Sequence, residues 1–271
     1  MKTHSQLSII IVTWNTADIT LKCVQSIKKY LKNLNYEIII VDNASTDDTV
    51  TKLKKEGGVV IVENESNLGF GGGNNAGAAV AKGEYLLFLN SDMELVDNKL
   101  IEMYEYLTLH PDIGIIGPKF LNTDLTPQGS VWPPQTISNA FKEFWLGHNT
   151  YSKYVPASKE PIEVFSVSGG AIMMKDSLFK KVGGWDKRYF MYFEDLELCR
   201  QIRKLGYKIY YYPDCKVIHR HGTSGKDLTD ISNQWRRLIP SSKIYHGHFK
   251  HLLLFLVTWS GQKWQKLFFK K

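Results

Sequence analysis

The chain has 271 residues, of which 43% are hydrophobic, and its 34 basic and 27 acidic side chains give a net charge of +7. This length suits one large domain, and the lack of an arginine-rich arm, zinc finger or RNA-binding signature argues against a nucleic acid partner. Three widely spaced cysteines, Cys23, Cys199 and Cys215, argue against a disulfide framework. With no secretory signal and no apolar run of the ~18 residues that span a bilayer, we expect a cytoplasmic protein.

Apolar runs and amphipathic segments alternate through the first 117 residues. Strands are predicted over residues 7–12, 36–41, 59–63 and 85–89. Helices are predicted over residues 19–31 and 98–110. Another is predicted from a cap at Ser45 to residue 53, and a helix of small residues after a glycine-rich loop is predicted to end at about residue 81. This alternation predicts an α/β fold with a mostly parallel central sheet and helices on both faces.

The pattern changes after residue 117. Residues 121–161 are rich in Pro, Ser and Trp and are predicted to form a long loop. Strands are then predicted over residues 164–168, 171–174, 208–212 and 216–219, with helices over residues 176–183 and 194–205. We divide the chain into a domain of residues 1–240, with halves of residues 1–117 and 118–240, and a C-terminal helical tail of residues 241–271.

The first polar motif, Asp42-Asn43-Ala44-Ser45, follows the second predicted strand. Ligands gather at the carboxyl ends of parallel strands, and a carboxylate there can accept the N3–H of uracil or thymine. The alternative is that Asp42 and Ser45 only cap the next helix, and from this motif alone the cap is favoured.

The second motif is glycine-rich and spans residues 67–77. Glycines let the backbone approach phosphate, which the following helix N-terminus attracts. Gly71, Gly73 and Ala76 also match the dinucleotide fingerprint, but that fingerprint should directly follow a strand. A turn followed by a tightly packed small-residue helix explains the segment equally well.

The third motif, Asn90-Ser91-Asp92, ends the fourth predicted strand. Its oxygen atoms suit Mg²⁺ or Mn²⁺, which also bind substrate phosphates. A polar turn after the strand is the alternative.

The fourth motif contains Gly183-Gly184-Trp185-Asp186 and an aromatic run that ends at Glu194-Asp195. The dipole of the helix that begins there favours ionised carboxylates, whereas an apolar wall raises a pKa toward the range of a general base. The alternative is a capped amphipathic helix beside aromatic core residues.

The fifth motif spans residues 217–224. Its His219, at a strand end, can bind metal or phosphate, although a lone histidine is more often structural.

In this order, the five motifs resemble the inverting nucleotide-sugar glycosyltransferases of the GT-A fold, and above all family-2 enzymes of the bacterial rhamnosyltransferase-like branch. The resemblance covers about residues 8–224 and includes Val12-Thr13-Trp14-Asn15 and Ser168-Gly169-Gly170-Ala171. It implies a hexosyltransferase that moves rhamnose or another hexose from a dTDP- or UDP-sugar, with inversion. The acceptor would be a hydroxyl of a glycan or lipid-linked molecule in cell-surface polysaccharide synthesis.

The resemblance also implies a role for each matching residue. Asp195 would be the catalytic base, with Trp185, Asp186 and Glu194 on the acceptor side. The donor nucleotide would be bound by Thr13, Asn15, Asp42, Asn67, Gly69, Asn75, Asn90 and Ser91. Asp92 and His219 would hold Mg²⁺ or Mn²⁺. Asn90 stands where the family's Asp-x-Asp motif has its first carboxylate, so the strictness of the metal requirement is open.

The predicted tail places apolar residues 252–257 between clusters of His and Lys, with Trp259 and Trp264 beside them. Such a helix suits the headgroup layer of a membrane, which would make the protein peripheral on the inner face of the cell membrane. A helix that covers the domain's own apolar surface, or a dimer interface, explains the pattern equally well.

Two other functions are compatible with parts of the sequence. A dinucleotide-dependent oxidoreductase would use the glycine-rich motif but leaves Glu194, Asp195 and His219 unexplained. A non-catalytic carbohydrate-binding or scaffold protein would follow if Asn90 disables metal binding.

Overall fold

The computed structural model describes residues 6–220 and 234–268. Residues 221–224 of the fifth motif and residues 269–271 of the predicted tail lie outside these ranges. The first half contains β1 (Leu7–Thr13), α1 (Ala17–Tyr30), β2 (Tyr36–Asp42), α2 (Thr49–Glu56), β3 (Val60–Glu63), α3 (Gly69–Val80), β4 (Tyr85–Leu89), β5 (Met93–Leu95) and α4 (Lys99–Leu109).

The second half adds shorter elements and two C-terminal helices. These are β6 (Ile113–Leu121), β7 (Pro127–Gln128), β8 (Val131–Trp132), α5 (Ile137–Leu146), β9 (Ile162–Glu163), β10 (Ser166–Val167), β11 (Ala171–Lys175), α6 (Asp176–Lys181), α7 (Glu194–Lys204), β12 (Lys208–His219), α8 (Gln234–His246) and α9 (His248–Phe268).

The main sheet has the strand order β3-β2-β1-β4-β11-β6-β12-β5. Strands β3, β2, β1 and β4 are parallel, as are β6 and β12, whereas β11 runs antiparallel to both β4 and β6. The predicted α/β class, with a central sheet flanked by helices, is confirmed. Parallel pairing aligns Thr13 with Asp42, so the carboxyl ends of β1 and β2 meet at one edge.

The core lies on both faces of this sheet, which explains why its central strands contain continuous apolar runs rather than an alternation of apolar and polar residues. On one face, Ile9 and Ile11 of β1 pack with Val24 and Ile27 of α1. On the other, Ile10 belongs to a cluster with residues of α3, α6 and α7. The alternation of Ile9, Ile10 and Ile11 between the two clusters follows the two-residue period of a strand.

Two local predictions were wrong. Residues 121–161 are not one long loop, because they contain β7, β8 and α5. The side chain of Thr136 accepts a hydrogen bond from the Asn139 backbone and so caps α5, which Gly147 ends with a φ of 78°. Ser45 does not cap α2, which begins at Thr49. Its backbone amide donates to Asp42, and its hydroxyl accepts from the Asn15 amide.

Several elements differ from the predicted boundaries. Strands β5 and β6 were not predicted, and the predicted strands over residues 208–212 and 216–219 form the single irregular strand β12. The proposed boundary after residue 117 falls inside β6, and the one after residue 240 falls inside α8. No helix within the described residues is both long and apolar enough to cross a bilayer.

Candidate active site

A cavity of about 580 Å³ opens at the carboxyl edge of β1 and β4. The segment before α7 and the inner face of α9 also line it. Nine of the residues predicted for the site lie on its wall: Thr13, Asn67, Gly69, Asn90, Ser91, Asp92, Glu194, Asp195 and His219. These residues come from both halves of the chain, so the sheet brings the separate motifs to one place.

Five predicted site residues are not among those that line the cavity: Asn15, Asp42, Asn75, Trp185 and Asp186. The Asn15 side chain accepts a hydrogen bond from the Thr46 amide at 2.8 Å and ties the loop after β2 to the end of β1. Asp42 accepts from the Ser45 amide through one carboxylate oxygen. Its other oxygen is buried and makes no hydrogen bond within the described part of the chain.

The Asn75 side chain and Trp185 form a structural link between α3 and the fourth motif. The Asn75 amide donates to the Trp185 carbonyl at 2.8 Å and accepts from the Trp185 backbone amide at 2.9 Å. The Trp185 ring is buried edge-on against Phe70 and Phe88. Both donor and acceptor groups of Asn75 are thus engaged by protein backbone.

Asp186 is held by its near neighbour Arg188. The Arg188 guanidinium donates to both carboxylate oxygens of Asp186, with Nη2 at 2.6 Å from Oδ2. This ion pair lowers the pKa of the Asp186 carboxyl below its ordinary value.

Asp92 and His219 meet although 127 positions of sequence separate them. Antiparallel pairing of β5 with β12 sets His219 opposite Met93, the neighbour of Asp92. The His219 Nε2 atom lies 3.6 Å from the Asp92 Oδ1 atom, and the side chains of His219 and Asp92 are 11% and 3% exposed. The His219 Nδ1 atom is 2.7 Å from the Gln128 amide oxygen. Since that oxygen can only accept, Nδ1 carries a proton, so in the neutral imidazole the Nε2 lone pair faces Asp92.

The Asp195 carboxylate is fixed by three hydrogen bonds. Its Oδ2 atom accepts from the Trp132 indole at 3.1 Å and from the Gly169 amide at 3.0 Å, and its Oδ1 atom accepts from the Leu196 amide at 2.8 Å. Asp195 is only 7% exposed, yet it lies on the cavity wall. The carboxylate is therefore held in one orientation beside the space where a substrate can enter.

Glu194, the neighbouring acid, lies in a more apolar position. Burial, and then the adjacent charge of Asp195, raise the pKa of the Glu194 carboxyl well above its ordinary value. The two acids of the motif thus differ in their surroundings: Asp195 receives three N–H donors, and Glu194 is desolvated.

The backbone is strained immediately before α7, which begins with Glu194 and Asp195. Tyr192 and Phe193 have φ values of 72° and 67°, in the left-handed region that non-glycine residues rarely adopt. Each such residue costs about 1–3 kcal/mol, and such strain is concentrated at functional sites. The aromatic run turns sharply there, so that Glu194 and Asp195 occupy the first turn of α7.

Gly69 joins the glycine-rich motif to the same aromatic run. It has a φ of 73°, and a Cβ there would lie 2.3 Å from the Phe190 carbonyl oxygen. The neighbouring Phe70 amide donates to that carbonyl at 3.0 Å. Only glycine allows this close approach, so the motif at least serves to pack α3 against the fourth motif.

Sequence reasoning missed four residues that complete the site: Gln128, Trp132, Lys153 and Asn43. Trp132 lies in the Trp-rich stretch predicted to form a loop, and this richness is its only signal in the sequence. Asn43 belongs to the first motif, and its amide donates to the Gly69 carbonyl at 3.1 Å. Nothing in the sequence marked Gln128 or Lys153, because each acts on a partner far away along the chain.

The model of the family described as glycosyl transferase family 2 matches residues 8–183. The chain therefore belongs to this family and is a glycosyltransferase. This assignment removes the oxidoreductase alternative.

Two relatives and one solved structure extend the comparison. The chain is 28% identical to N-acetylglucosaminyl-diphospho-decaprenol L-rhamnosyltransferase of Mycobacterium tuberculosis, over 70% of this chain and 68% of the relative. It is 27% identical to the rhamnosyltransferase WbbL of Escherichia coli, over 77% of this chain and 84% of the relative. A crystal structure of GalNAc-T7 with UDP, GalNAc and Mn²⁺ superposes with a TM-score of 0.61 at 20% identity, over 82% of this chain and 45% of that one.

These findings confirm the expected GT-A-like fold and the likeness to the rhamnosyltransferase-like branch. The chain spans less than half of GalNAc-T7, and that likeness concerns the fold alone. The roles of individual site residues stay predictions.

Proposed function

We propose that this glycosyltransferase moves rhamnose or another hexose from a dTDP- or UDP-sugar to a hydroxyl of a glycan or lipid-linked acceptor during cell-surface polysaccharide synthesis. The names of the two rhamnosyltransferase relatives support the sugar, and that of the mycobacterial relative supports a lipid-diphosphate-linked acceptor. The observation that carries the proposal is that one cavity is lined by Asp195 at the start of α7 and by Asp92 and His219 at the ends of β5 and β12.

The donor nucleoside would lie at the carboxyl ends of β1 and β2. The buried Asp42 oxygen that accepts no hydrogen bond from the described residues suits the N3–H of a uracil or thymine ring. Thr13 and Asn67 line the cavity nearby. A pyrimidine ring that reaches Asp42 would satisfy a buried acceptor, which stabilises the complex by more than a solvent-exposed contact does.

The Asp92–His219 pair fits a divalent cation. A carboxylate oxygen and an imidazole nitrogen 3.6 Å apart can bind one ion, and the Gln128 contact holds the imidazole in the tautomer that binding needs. Among the described residues no three His, Cys, Asp or Glu side chains are grouped for a metal, so the donor diphosphate and the Asn90 amide oxygen would complete the set. When bound, Mg²⁺ or Mn²⁺ neutralises charge on the leaving diphosphate.

The reaction is a single displacement. Asp195 accepts the proton of the acceptor hydroxyl, and the oxygen attacks the anomeric carbon from the face opposite the diphosphate, so the configuration inverts. The three N–H donors to Asp195 hold its carboxylate in one orientation beside the cavity.

The Asp195→Asn variant tests this assignment. We expect it to bind the donor as the wild type does and to lose about 100-fold or more in turnover, because the amide keeps the shape but cannot accept the proton. Mass spectrometry with a panel of dTDP- and UDP-sugars in Mg²⁺ and in Mn²⁺ would identify the donor and measure turnover. The Asp214→Asn variant is the matched control, since Asp214 is an exposed acid of β12 that does not line the cavity. Turnover near the wild-type value in Asp195→Asn would exclude Asp195 as the base.

The tail supports peripheral attachment to a membrane. The inner face of α9 lines the cavity through His251, Leu254, Phe255, Thr258 and Gln262. Its opposite face exposes Phe249, Leu252, Leu256, Trp259 and Leu267. Lys263 lies over the Trp259 ring on that exposed stripe. An apolar stripe with cations suits an anionic lipid surface, and it would place the acceptor side of the cavity at the inner face of the cell membrane.

A further inference from the structure

Lys153 lies on the cavity wall, and an isolated β-bridge at the next residue fixes its backbone there. The neighbouring residue Tyr154 forms a bridge with Val131 of β8, with hydrogen bonds of 2.9 and 3.2 Å in the two directions. The Lys153 backbone also packs on Gly129, where a Cβ would lie 3.0 Å from the carbonyl carbon of Lys153. The lysine side chain therefore starts from a fixed backbone position.

The Lys153 ammonium contacts two residues that lie next to the Asp195 carboxylate. Its Nζ atom donates to the Ser168 hydroxyl at 2.8 Å and lies 4.8 Å from the centre of the Trp132 ring. The same indole donates from Nε1 to Asp195 at 3.1 Å, and Gly169, which follows Ser168, donates its amide to Asp195. Lysine, tryptophan and carboxylate thus form one chain of contacts.

Two opposing effects act on the pKa of Lys153, and burial is the larger of them. Burial lowers the pKa of the Lys153 ammonium, and the nearby carboxylates Asp195 and Glu194 of α7 act in the opposite direction. In return, Lys153 lowers the pKa of Glu194 against the effect of burial. Further titratable side chains on the wall of the same cavity are Tyr151, Asp92, His219 and His251.

We propose that Lys153 is a positioning residue for the catalytic base. Its ammonium, fixed by Ser168 against the Trp132 ring, holds the indole in the orientation in which the indole N–H reaches Asp195. It also supplies the positive charge beside two adjacent carboxyl groups. This inference rests on the proposed role of Asp195 as the base.

Two physical effects follow from this arrangement. A cation on the face of an indole attracts electron density toward it, which strengthens the N–H as a donor to a carboxylate. The same cation lowers the pKa of Glu194, the acid next to Asp195, so Glu194 reaches its ionised form at lower pH than it would without Lys153. Loss of the ammonium therefore lowers the rate most on the acidic side of the pH–rate profile.

The test compares Lys153→Met with Lys153→Arg. The assay uses dTDP-rhamnose as donor and a synthetic short-chain prenyl-diphospho-N-acetylglucosamine as acceptor, with kcat/KM measured between pH 5 and 9. For Lys153→Met we expect about a tenfold or larger loss near neutral pH and a shift of the acidic limb to higher pH by about one unit. Lys153→Arg should recover most of the loss because it keeps the charge. The KM for the donor should not change in either variant.

Two controls separate positioning from loss of structure. Lys159→Met changes an exposed lysine six positions away and should leave the whole profile unchanged. Trp132→Phe keeps an aromatic ring but removes the N–H donor. It should lower kcat/KM, and adding Lys153→Met to it should reduce the rate less than in the wild-type background, since the two residues act through one hydrogen bond. Circular dichroism and donor binding show that each variant is folded.

The outcomes distinguish this inference from the proposed function. A Lys153→Met enzyme with the wild-type pH–rate profile, alongside an inactive Asp195→Asn enzyme, overturns the inference and leaves the proposed function standing. Equal losses in Lys153→Met and Lys153→Arg with no pH shift would also overturn it, because a charge-independent loss points to packing. An active Asp195→Asn enzyme would overturn both.

Discussion

At the scale of single residues, the site depends on hydrogen bonds that set the state of each functional side chain. The His219 Nε2 atom faces Asp92 because Gln128 accepts from Nδ1, which fixes the tautomer of the neutral ring. Asp195 is oriented because three N–H groups point at it. Asp92, Asp195 and His219 were predicted from their motifs, whereas Gln128 was not, since its role exists only through the contact with His219.

The Gln128→Leu variant tests the histidine partner. We expect the concentration of Mn²⁺ needed for half-maximal activity to rise about 10-fold to 100-fold, because an unsupported imidazole can turn or change tautomer. The measurement is activity against added Mn²⁺ after treatment with a chelator. Gln25→Leu, at an exposed glutamine of α1, is the control. An unchanged Mn²⁺ requirement in Gln128→Leu would contradict the assigned tautomer and its role in metal binding.

At the scale of elements, the glycine-rich helix α3 shows how one pattern can serve packing and function. The sequence alone did not distinguish the two interpretations of this motif, which are backbone contact with a phosphate and tight packing of the helix. The structure shows the packing directly: a Cβ on Gly73 would lie 2.7 Å from a methyl of Val12, and one on Gly77 would lie 2.5 Å from a methyl of Ile10. Helix α3 can therefore approach β1 only with glycine at these positions.

The Gly73→Ala variant tests this close approach. Alanine favours a helix by about 1 kcal/mol over glycine, but the added methyl overpacks the contact with Val12. We expect the free energy of unfolding to fall by about 1–3 kcal/mol. In a Val12→Ala background the same substitution should be much less harmful, because the clashing methyl groups are gone. Urea unfolding of the four proteins measures both effects, and a more stable Gly73→Ala protein would show that the contact does not limit packing.

At the scale of the whole molecule, the C-terminal helices belong to the active site as well as to the surface. Helix α9 is held on α5, where the Trp145 indole donates to the Val257 carbonyl at 3.1 Å and stacks on Trp264. Helix α8 is joined to α7 by Arg200, whose guanidinium lies over the Tyr245 ring. The sequence left three explanations of the tail, and the structure shows one of them directly, since α9 packs on the domain. The membrane contact and the dimer interface stay predictions for the exposed face. One face of α9 covers the cavity and the other remains exposed.

Flotation with liposomes tests the exposed face of α9. A variant with Leu252→Glu, Leu256→Glu and Trp259→Glu should bind vesicles that contain phosphatidylglycerol about tenfold more weakly or worse, because each apolar side chain contributes about 1.5–3 kcal/mol when buried. The matched control places glutamate at Leu109, Leu125 and Leu205, which are exposed elsewhere. Equal flotation of the wild type and both variants would exclude α9 as the membrane contact, and an α9 variant that becomes monomeric would indicate a dimer interface instead.

The sequence by itself determined the α/β class, the ends of the strands where ligands collect, and the acids Asp92 and Asp195. These features are local, because strand periodicity and short motifs are properties of neighbouring residues. Only the tertiary structure decided that Gln128 orients His219, that Asn75 and Asp186 are engaged by protein groups, and that Trp132 and Lys153 lie beside Asp195. Those relations depend on strand pairing across the sheet and on the small β8–β10 sheet, which bring together residues whose separation along the chain carries no signal of contact.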